Sequence, residues 1–557
     1  MPKRRIDNEL SKSHPPKRLR TTTSGHKTDH LSSLSNEILL HILSFLSIPS
    51  LLTCQRLSRR FRALSGDSEL WKRQYFSKWV RPRARRLAIA RRTSFPQSKF
   101  EYSPRVSTWL DHGHLDRDDR ITNWKRQYQL RHNWSQGTCR VTEVEIPQPP
   151  RPPILVTFCA GFVFMADSHG GLQVWSAESP ESRKAGLTFA GPESQSSTPT
   201  ALTATCGLET NSIEAVVGFD DGRFSVYTMD TKRLFLQLRF SHPRSAHGAI
   251  TAMASSYPYL LVVSKHKMLS LYKLPLAFDD SSWSEDAQLV ASLKADSILS
   301  PMSLFVRVAR SEIIASIVYS FFHLGCGWSL GIQELHFDKT GQQIRSRLTT
   351  TVDTQHGVVP LPKSRYGQPS AQEQESIDHA HPSALNPAIL HQDPPSSVSY
   401  SHPYLLTSHA DNTLTVYLVV STSDDLFVKG AQRLWGHTSS VSAVQVSDRG
   451  KAVSVSSHGG EVRIWELENL ISSFGSQKVS QGDKSIKVRP ENQRRSQDGG
   501  IGSLSGVRRR ELSLSPSVDI RSKLAHVRDC VGFDDERLLL VRDKEYGTQL
   551  LELYDFT

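Results

Sequence analysis

Paired cysteines are missing from this chain. Its six cysteines, Cys54, Cys139, Cys159, Cys206, Cys326 and Cys530, are scattered over 557 residues without a CxxC pair, so neither a zinc site nor a thioredoxin-type centre is suggested. Long apolar runs are missing as well. The longest, IIASIVYSFF at 313–322, is too short to span a bilayer, and the opening MPKRRIDNEL has no signal-peptide core. A reduced, intracellular, soluble protein is expected, with no membrane partner. GxxxxGKS/T and HExxH do not occur; no catalytic residue, metal or cofactor is expected. Acidic residues are scarce at one end only. Residues 1–140 hold 29 Lys/Arg and 11 Asp/Glu, a net of +18; the totals of 68 and 55 leave 39 and 44, a net of −5, for residues 141–557. The large C-terminal part has no positive excess to neutralise phosphates, so a nucleic-acid partner is not expected.

What is present starts with a helix that is apolar nearly all round. In LSSLSNEILLHILSFLSIPSLL (31–52), Ile38, Ile42 and Phe45 form one stripe at i, i+4, i+7, and Leu39, Leu43 and Leu46 form the next. Such a helix needs burial on more than one side. Pro49 fits the first turn of a second helix, whose face would be Leu51, Cys54, Leu57, Phe61 and Leu64, with Arg56, Arg59, Arg60 and Arg62 elsewhere. After Ser65-Gly66-Asp67-Ser68, Leu70, Trp71, Tyr75 and Phe76 begin a third. Three short helices cannot bury two apolar faces among themselves, which leaves one for a partner in helix-in-groove fashion.

Leu34, Glu37-Ile38, Ile42-Leu43, Leu46, Pro49, Leu52, Arg59-Arg60-Phe61 and Leu70-Trp71 resemble an F-box, the three-helix module that docks on the Skp-family adaptor of cullin–RING ubiquitin ligases. The resemblance covers 31–79 and implies adaptor contacts at Leu34, Glu37, Ile38, Ile42, Leu43, Leu46, Pro49 and Leu52. Ser35 stands where the family usually has proline, and a serine can cap a helix there.

Residues 1–30 are read as a disordered basic tail. Its clusters Lys3-Arg4-Arg5 and Lys17-Arg18 have the spacing of a bipartite nuclear-import signal, with a plain solvated tail as the alternative. Location in nucleus and cytoplasm is the expectation. Residues 80–149 form a basic connector, with Arg81, Arg83, Arg85, Arg86, Arg91 and Arg92 concentrated early and read as a solvated face. DHGHLDRDD (111–119) is too irregular for a metal site and reads as an acidic loop. WKRQYQLRHNWSQG (124–137) resembles the segment joining an F-box to a propeller, with Trp124, Tyr128, Leu130 and Trp134 as anchors.

From residue 150 onward, short strands and turn signals recur. SHGGLQVWSAE (168–178) is echoed at 457–468, and weaker copies end in Tyr227, Tyr272, Tyr417 and Tyr554. The aromatic spacing is near that of one WD blade. Six visible blades plus a hidden one ending near GIQELHF (331–337) make seven. The best copy, 434–469, resembles a WD repeat, whose buried chain of His, Ser/Thr, Asp and Trp would use His437, Ser457 and Trp465, with glycines near the place of the Asp. The expected fold is thus multidomain α+β: a three-helix F-box at 31–79 and a divergent seven-bladed propeller at 150–557, with disordered insertions near 353–399 and 471–518. A β-sandwich is the competing architecture.

The family resemblance implies a non-catalytic substrate receptor: the F-box binds a Skp-family adaptor, and through it a cullin and a RING protein, while the propeller holds a protein substrate. Propeller receptors often read phosphorylated peptides through channel arginines; Arg223, Arg433 and Arg463 are propeller arginines, and the sequence leaves phosphate dependence open. Ser515-Pro516 and Thr93-Ser94 are candidate phosphosites. The alternative is a nuclear propeller scaffold or nucleic-acid-associated protein that works without ubiquitination.

Overall fold

Ser35 opens the first helix by accepting a hydrogen bond from the Ile38 backbone N–H at 3.5 Å, the capping role open to serine. The computed structural model describes residues 30–31, 33–82, 122–146, 154–178, 183–189, 198–207, 212–275, 287–294, 299–309, 312–338, 340–355, 389–422, 425–457, 460–467, 485–490, 526–543 and 549–557. They fall into two units, Met1–Gln74 and Tyr75–Thr557. The tail clusters, most of the basic connector, 111–119 and both candidate phosphosites lie outside the described residues.

The described residues of the first unit form four short helices rather than the expected three: α1 (Asn36–Leu43), α2 (Ile48–Cys54), α3 (Arg59–Ser65) and α4 (Ser68–Tyr75). Pro49 sits in the first turn of α2. The long second helix does not form because Ser58 caps a new one, its side chain accepting from Phe61 N–H at 3.2 Å. The intervening turn leaves Leu57 exposed rather than on the shared face. Leu43, Leu51 and Leu70 make the core, with Leu40, Leu46, Ile48 and Phe61 packed around them.

Among its described residues the second unit contains seven sheets, antiparallel except for one edge pair, here blades one to seven: 155–187, 199–242, 250–294, 299–350, 397–434, 441–487, and 526–555 with 138–146. Their first strands touch in a closed ring, so the unit is a seven-bladed propeller and not a sandwich. Inner strands are covered by neighbouring blades on both sides and read as continuous apolar runs, such as the fully buried YLLVVS of Tyr259–Ser264. Trp175, Tyr227, Tyr272, Tyr417, Trp465 and Tyr554 all lie in third strands. The hidden blade is blade four, with GIQELHF at the end of its third strand, Gly327–Phe337.

Three boundaries move. Strand Thr138–Ile146 pairs along Gln549–Asp555, from Arg140↔Asp555 to Ile146↔Gln549, so the propeller begins at Thr138 rather than 150 and closes by joining an early strand to the last one. Ile486–Lys487 is the fourth strand of blade six, and Arg489–Pro490 adds in parallel to Thr138–Cys139; this part of 471–518 is blade, not insertion. Residues 389–399 also belong to the propeller, since His391 bridges to Gly327 and Ser397–Ser401 is the first strand of blade five.

Successive strands of a blade alternate in direction. Turns between second and third strands therefore share one face of the ring with the inter-blade loops, and the remaining turns lie on the other. Helix α5 (Trp124–Gln136) sits on that other face. Trp134 Nε1 donates to the Asp535 carbonyl at 2.7 Å and Asn133 Nδ2 to the Phe556 carbonyl at 2.8 Å, while the Lys451 ammonium lies 3.9 Å from the Trp134 ring centroid. Trp124 packs against Tyr75 and Phe76, and Tyr128 against Trp79 at 4.7 Å.

Candidate functional site

The two stripes of α1 have different fates. Leu39 and Leu43 are buried, whereas Ile38, Ile42 and Phe45 remain 49%, 41% and 70% exposed. Leu52 on α2, and Leu31 and Leu57 beside the helices, are also exposed. The unit thus closes its own core and still presents a ridge of large aliphatic and aromatic side chains, which the hydrophobic effect penalises until something covers it.

Polar contacts hold this ridge in place. The Arg60 guanidinium donates to the Leu34 carbonyl at 2.6 Å and to Asn36 Oδ1 at 2.8 and 3.0 Å, fixing the start of α1 on α3. Arg73 donates to Ser44 Oγ at 3.0 Å and stands 5.7 Å from the Phe45 ring centroid. His41 meets Phe45 edge-on at 5.0 Å. Trp71 Nε1 donates to the Ser65 carbonyl at 2.9 Å. Glu37 lies exposed in the first turn, its carboxyl held below the usual range by its own backbone N–H and then by the Ser35 hydroxyl.

Of the eight residues singled out from the sequence, Glu37, Ile38, Ile42, Pro49 and Leu52 lie at the surface, Leu34 and Leu46 are half-buried, and Leu43 lies inside the core. Leu43 thus shapes the ridge from beneath. Phe45 and Leu57 were not singled out; Phe45 could have been, since it completes the Ile38–Ile42 stripe.

In blade six, His437 Nε2 and Ser454 Oγ are 2.6 Å apart and Trp465 Nε1 donates to the same hydroxyl at 2.7 Å. The serine of the WD-type chain is therefore Ser454, not Ser457, which instead pairs with Ser440. Glu461 takes the acidic place, with Oε2 3.6 Å from His437 Nδ1 and accepting from Thr438 N–H at 3.2 Å. Burial pushes the His437 imidazole down to about 4 despite the nearby Glu461.

Arg223 follows the second–third-strand turn of blade two, Arg433 ends the fourth strand of blade five, and Arg463 begins the third strand of blade six. All three thus stand on the inter-blade-loop face, opposite α5. Each already faces an acid: Asp221 at 3.9 Å, Asp411 at 4.0 Å and Glu461 at 2.8 Å, respectively.

Comparison with known proteins agrees with this anatomy. A model described as F-box-like matches residues 31–77, and one described as F-box protein pof12 beta-propeller matches 139–557. F-box protein pof12 of Schizosaccharomyces pombe (strain 972 / ATCC 24843) is 22% identical over 466 residues, covering 80% of this chain and 87% of that protein. Among solved structures, the β-propeller domain of Myceliophteria thermophila Cps50 (Swd1) is similar at 10% identity with a TM-score of 0.36, covering 75% of this chain and 100% of that one. Chaetomium thermophilum Sqt1, bound to the N-terminus of ribosomal protein L10, is similar at 15% identity with a TM-score of 0.36, covering 72% and 82%. With an F-box at its start and the matching propeller along most of its length, the chain belongs to the F-box protein pof12 beta-propeller family.

Proposed function

We propose that this chain is the substrate receptor of a Skp–cullin–F-box ubiquitin ligase. One observation carries the reading: the F-box completes its core with Leu39, Leu43, Leu51 and Leu70 yet leaves Ile38, Ile42 and Phe45 open along one stripe of α1. A Skp-family adaptor would cover that stripe and bring the cullin and RING protein. The propeller would hold a protein substrate close to the ubiquitin-charged enzyme, and the gain would come from effective concentration rather than bond chemistry by this chain. The substrate would sit on the inter-blade-loop face, because α5 occupies the other.

The test is a pulldown of a Skp-family adaptor by the full chain and by an Ile38→Asp/Ile42→Asp variant. Two carboxylates forced into an apolar contact cost several kcal/mol when unpaired, enough to abolish docking. The variant should lose the adaptor while its melting temperature holds, because both positions are exposed. A wild-type chain that binds no adaptor would sink the receptor reading in favour of the scaffold. We also assign nuclear import to Lys3-Arg4-Arg5 and Lys17-Arg18; alanine at all five should leave a fluorescently tagged chain in the cytoplasm, and unchanged nuclear signal would refute the assignment.

A further inference from the structure

Blade four has a hairpin that outgrows its sheet. Strands Glu312–His323 and Gly327–Phe337 stay paired from Ile313↔Phe337 to His323↔Gly327. The first strand of the blade reaches only to Ser320, however, and the fourth only to Gly331. Residues 321–330 thus form a two-stranded ribbon projecting from the inter-blade-loop face, and such a ribbon is marginal in water by itself. One side is secured. Cys326, Ser329 and Leu330 are buried, Trp328 N–H donates to the His391 carbonyl at 2.9 Å, and Leu330 N–H donates to Thr351 Oγ1 at 3.0 Å. The other side is open: Phe322 is 55% exposed, Leu324 97%, and Leu390 alongside is exposed too. Phe322 meets Trp328 edge-on at 5.9 Å. The stretch 319–331, YSFFHLGCGWSLG, contains no Asp, Glu, Lys or Arg.

We propose that this ribbon tip is a substrate-docking element whose occupant is an uncharged protein segment presenting clustered apolar side chains. The proposal rests on the receptor reading above and deepens it. Charge selects the occupant. A phosphorylated segment needs unpaired guanidinium groups, but Arg223, Arg433 and Arg463 on this face each have an acid within 4.0 Å. An anionic bilayer needs neighbouring cations, and the stretch 319–331 supplies neither Lys nor Arg. A charged segment laid on the tip would lose water with nothing to replace it. Exposed aromatic and aliphatic side chains on a braced support are the usual form of a binding hot spot.

The experiment selects peptides from a random phage-displayed library on the immobilised full chain and measures one selected peptide by fluorescence anisotropy. Binding is compared for wild type, Phe322→Ser/Leu324→Ser, Leu324→Gln alone, and Phe235→Ser as an equally exposed apolar control on blade two. The expected result is uncharged, apolar-rich peptides whose affinity falls about tenfold or more in the double variant, with a smaller fall for Leu324→Gln and none for Phe235→Ser. Equal affinity across all four chains overturns the proposal, as does selection of acidic peptides. Three further results overturn it by naming another occupant: tip-dependent binding to phosphatidylcholine/phosphatidylserine vesicles, self-association lost in the double variant, or peptide binding seen only after deletion of 356–388. The adaptor pulldown run on the same chains keeps the two readings apart. Adaptor capture with tip-insensitive peptides defeats this inference alone, whereas tip-dependent peptides without adaptor capture defeat the ligase reading alone.

Discussion

The Trp134 indole lies flat on the Phe556 ring, with centroids 3.8 Å apart and planes 16° apart. One residue comes from the helix that precedes the propeller and the other from the chain's last two residues, so this stack seals the point where the ring closes. Both side chains are buried and share a core with Leu538, Leu540 and Tyr554. Trp134→Ala removes the stack, the bond to Asp535 and the Lys451 contact together, and large-to-small changes of this kind cost about 3–5 kcal/mol. A calorimetric melt of the full chain should show the propeller transition well below wild type. An unchanged transition would mean that α5 is an ornament on a ring that closes without it.

A chain ending at Gln549 lacks most of Gln549–Asp555, which pairs with Thr138–Ile146 on one side and Arg537–Asp543 on the other. Two ladders are lost at once, and blade seven cannot form. The truncated chain should expose its core, seen as strong dye binding and loss of the cooperative melt. Wild-type melting of that chain would refute closure through this strand.

Ser454 and Ser457 separate a buried hydrogen-bond hub from a surface pair. Ser454→Ala strands both His437 Nε2 and Trp465 Nε1 in a buried site, at about 1–3 kcal/mol for each orphaned group. Ser457→Ala breaks only the half-buried pairing with Ser440 and should cost about 1 kcal/mol or less. Denaturant titrations of the two variants should rank in that order; the reverse order would return the hub role to Ser457.

Acid should loosen the propeller before alkali does. His391 and His409 stack with centroids 3.7 Å apart, beside Thr407, Thr415, Asp411 and Arg433. Burial first, then the charges of His409 and Arg433, pushes His391 down to about 3; burial holds His409 at about 4 against the pull of Asp411. With His437 at about 4, three imidazoles lie below their unfolded value of 6.5. Their contribution is complete above that value and is lost as pH falls from 6.5 toward 4, because the unfolded chain takes up protons first. Glu214 opposes this, since burial raises its carboxyl to about 6 and its ionisation costs stability as pH rises from 4.5. Burial raises the Asp534 and Glu552 carboxyls in the same direction, but His391, His409 and His437 are each displaced further than Glu214, which leaves the balance acid-labile. The melting temperature should drop between about pH 7 and about pH 5, and His409→Gln should flatten that slope; equal slopes would remove the pair from the account.

Much of this was legible because repetition leaves a mark. The aromatics of six third strands stand at blade spacing, and blade four, whose third strand carries no Trp or Tyr near its end, could be placed from the gap it left. The F-box stripe was legible for the same reason: Ile38, Ile42 and Phe45 follow a helical period. The misses share a different cause. Thr138–Ile146 and Ser485–Pro490 are polar edge segments, made into strands by the neighbours they pair with rather than by their own composition. Ser454 was passed over for Ser457 because the choice depends on which of two nearby hydroxyls points at Trp465. The extra helix came from one capping serine, Ser58, whose effect on Leu57 only geometry reveals.

Ring closure also sets a timetable. Glu143 must wait for Glu552, its partner 409 positions later. At about 5–20 residues per second of synthesis, that is roughly 20–80 s. Throughout this interval the nascent propeller carries at its front a strand without its Gln549–Asp555 partner, and the blades that accumulate behind it have no seventh to complete the ring, while the F-box is already outside the ribosome. Folding of this chain is therefore exposed to capture by other nascent strands for most of its own translation. Slowing elongation should raise its aggregation, the opposite of what is expected for a protein whose contacts are local.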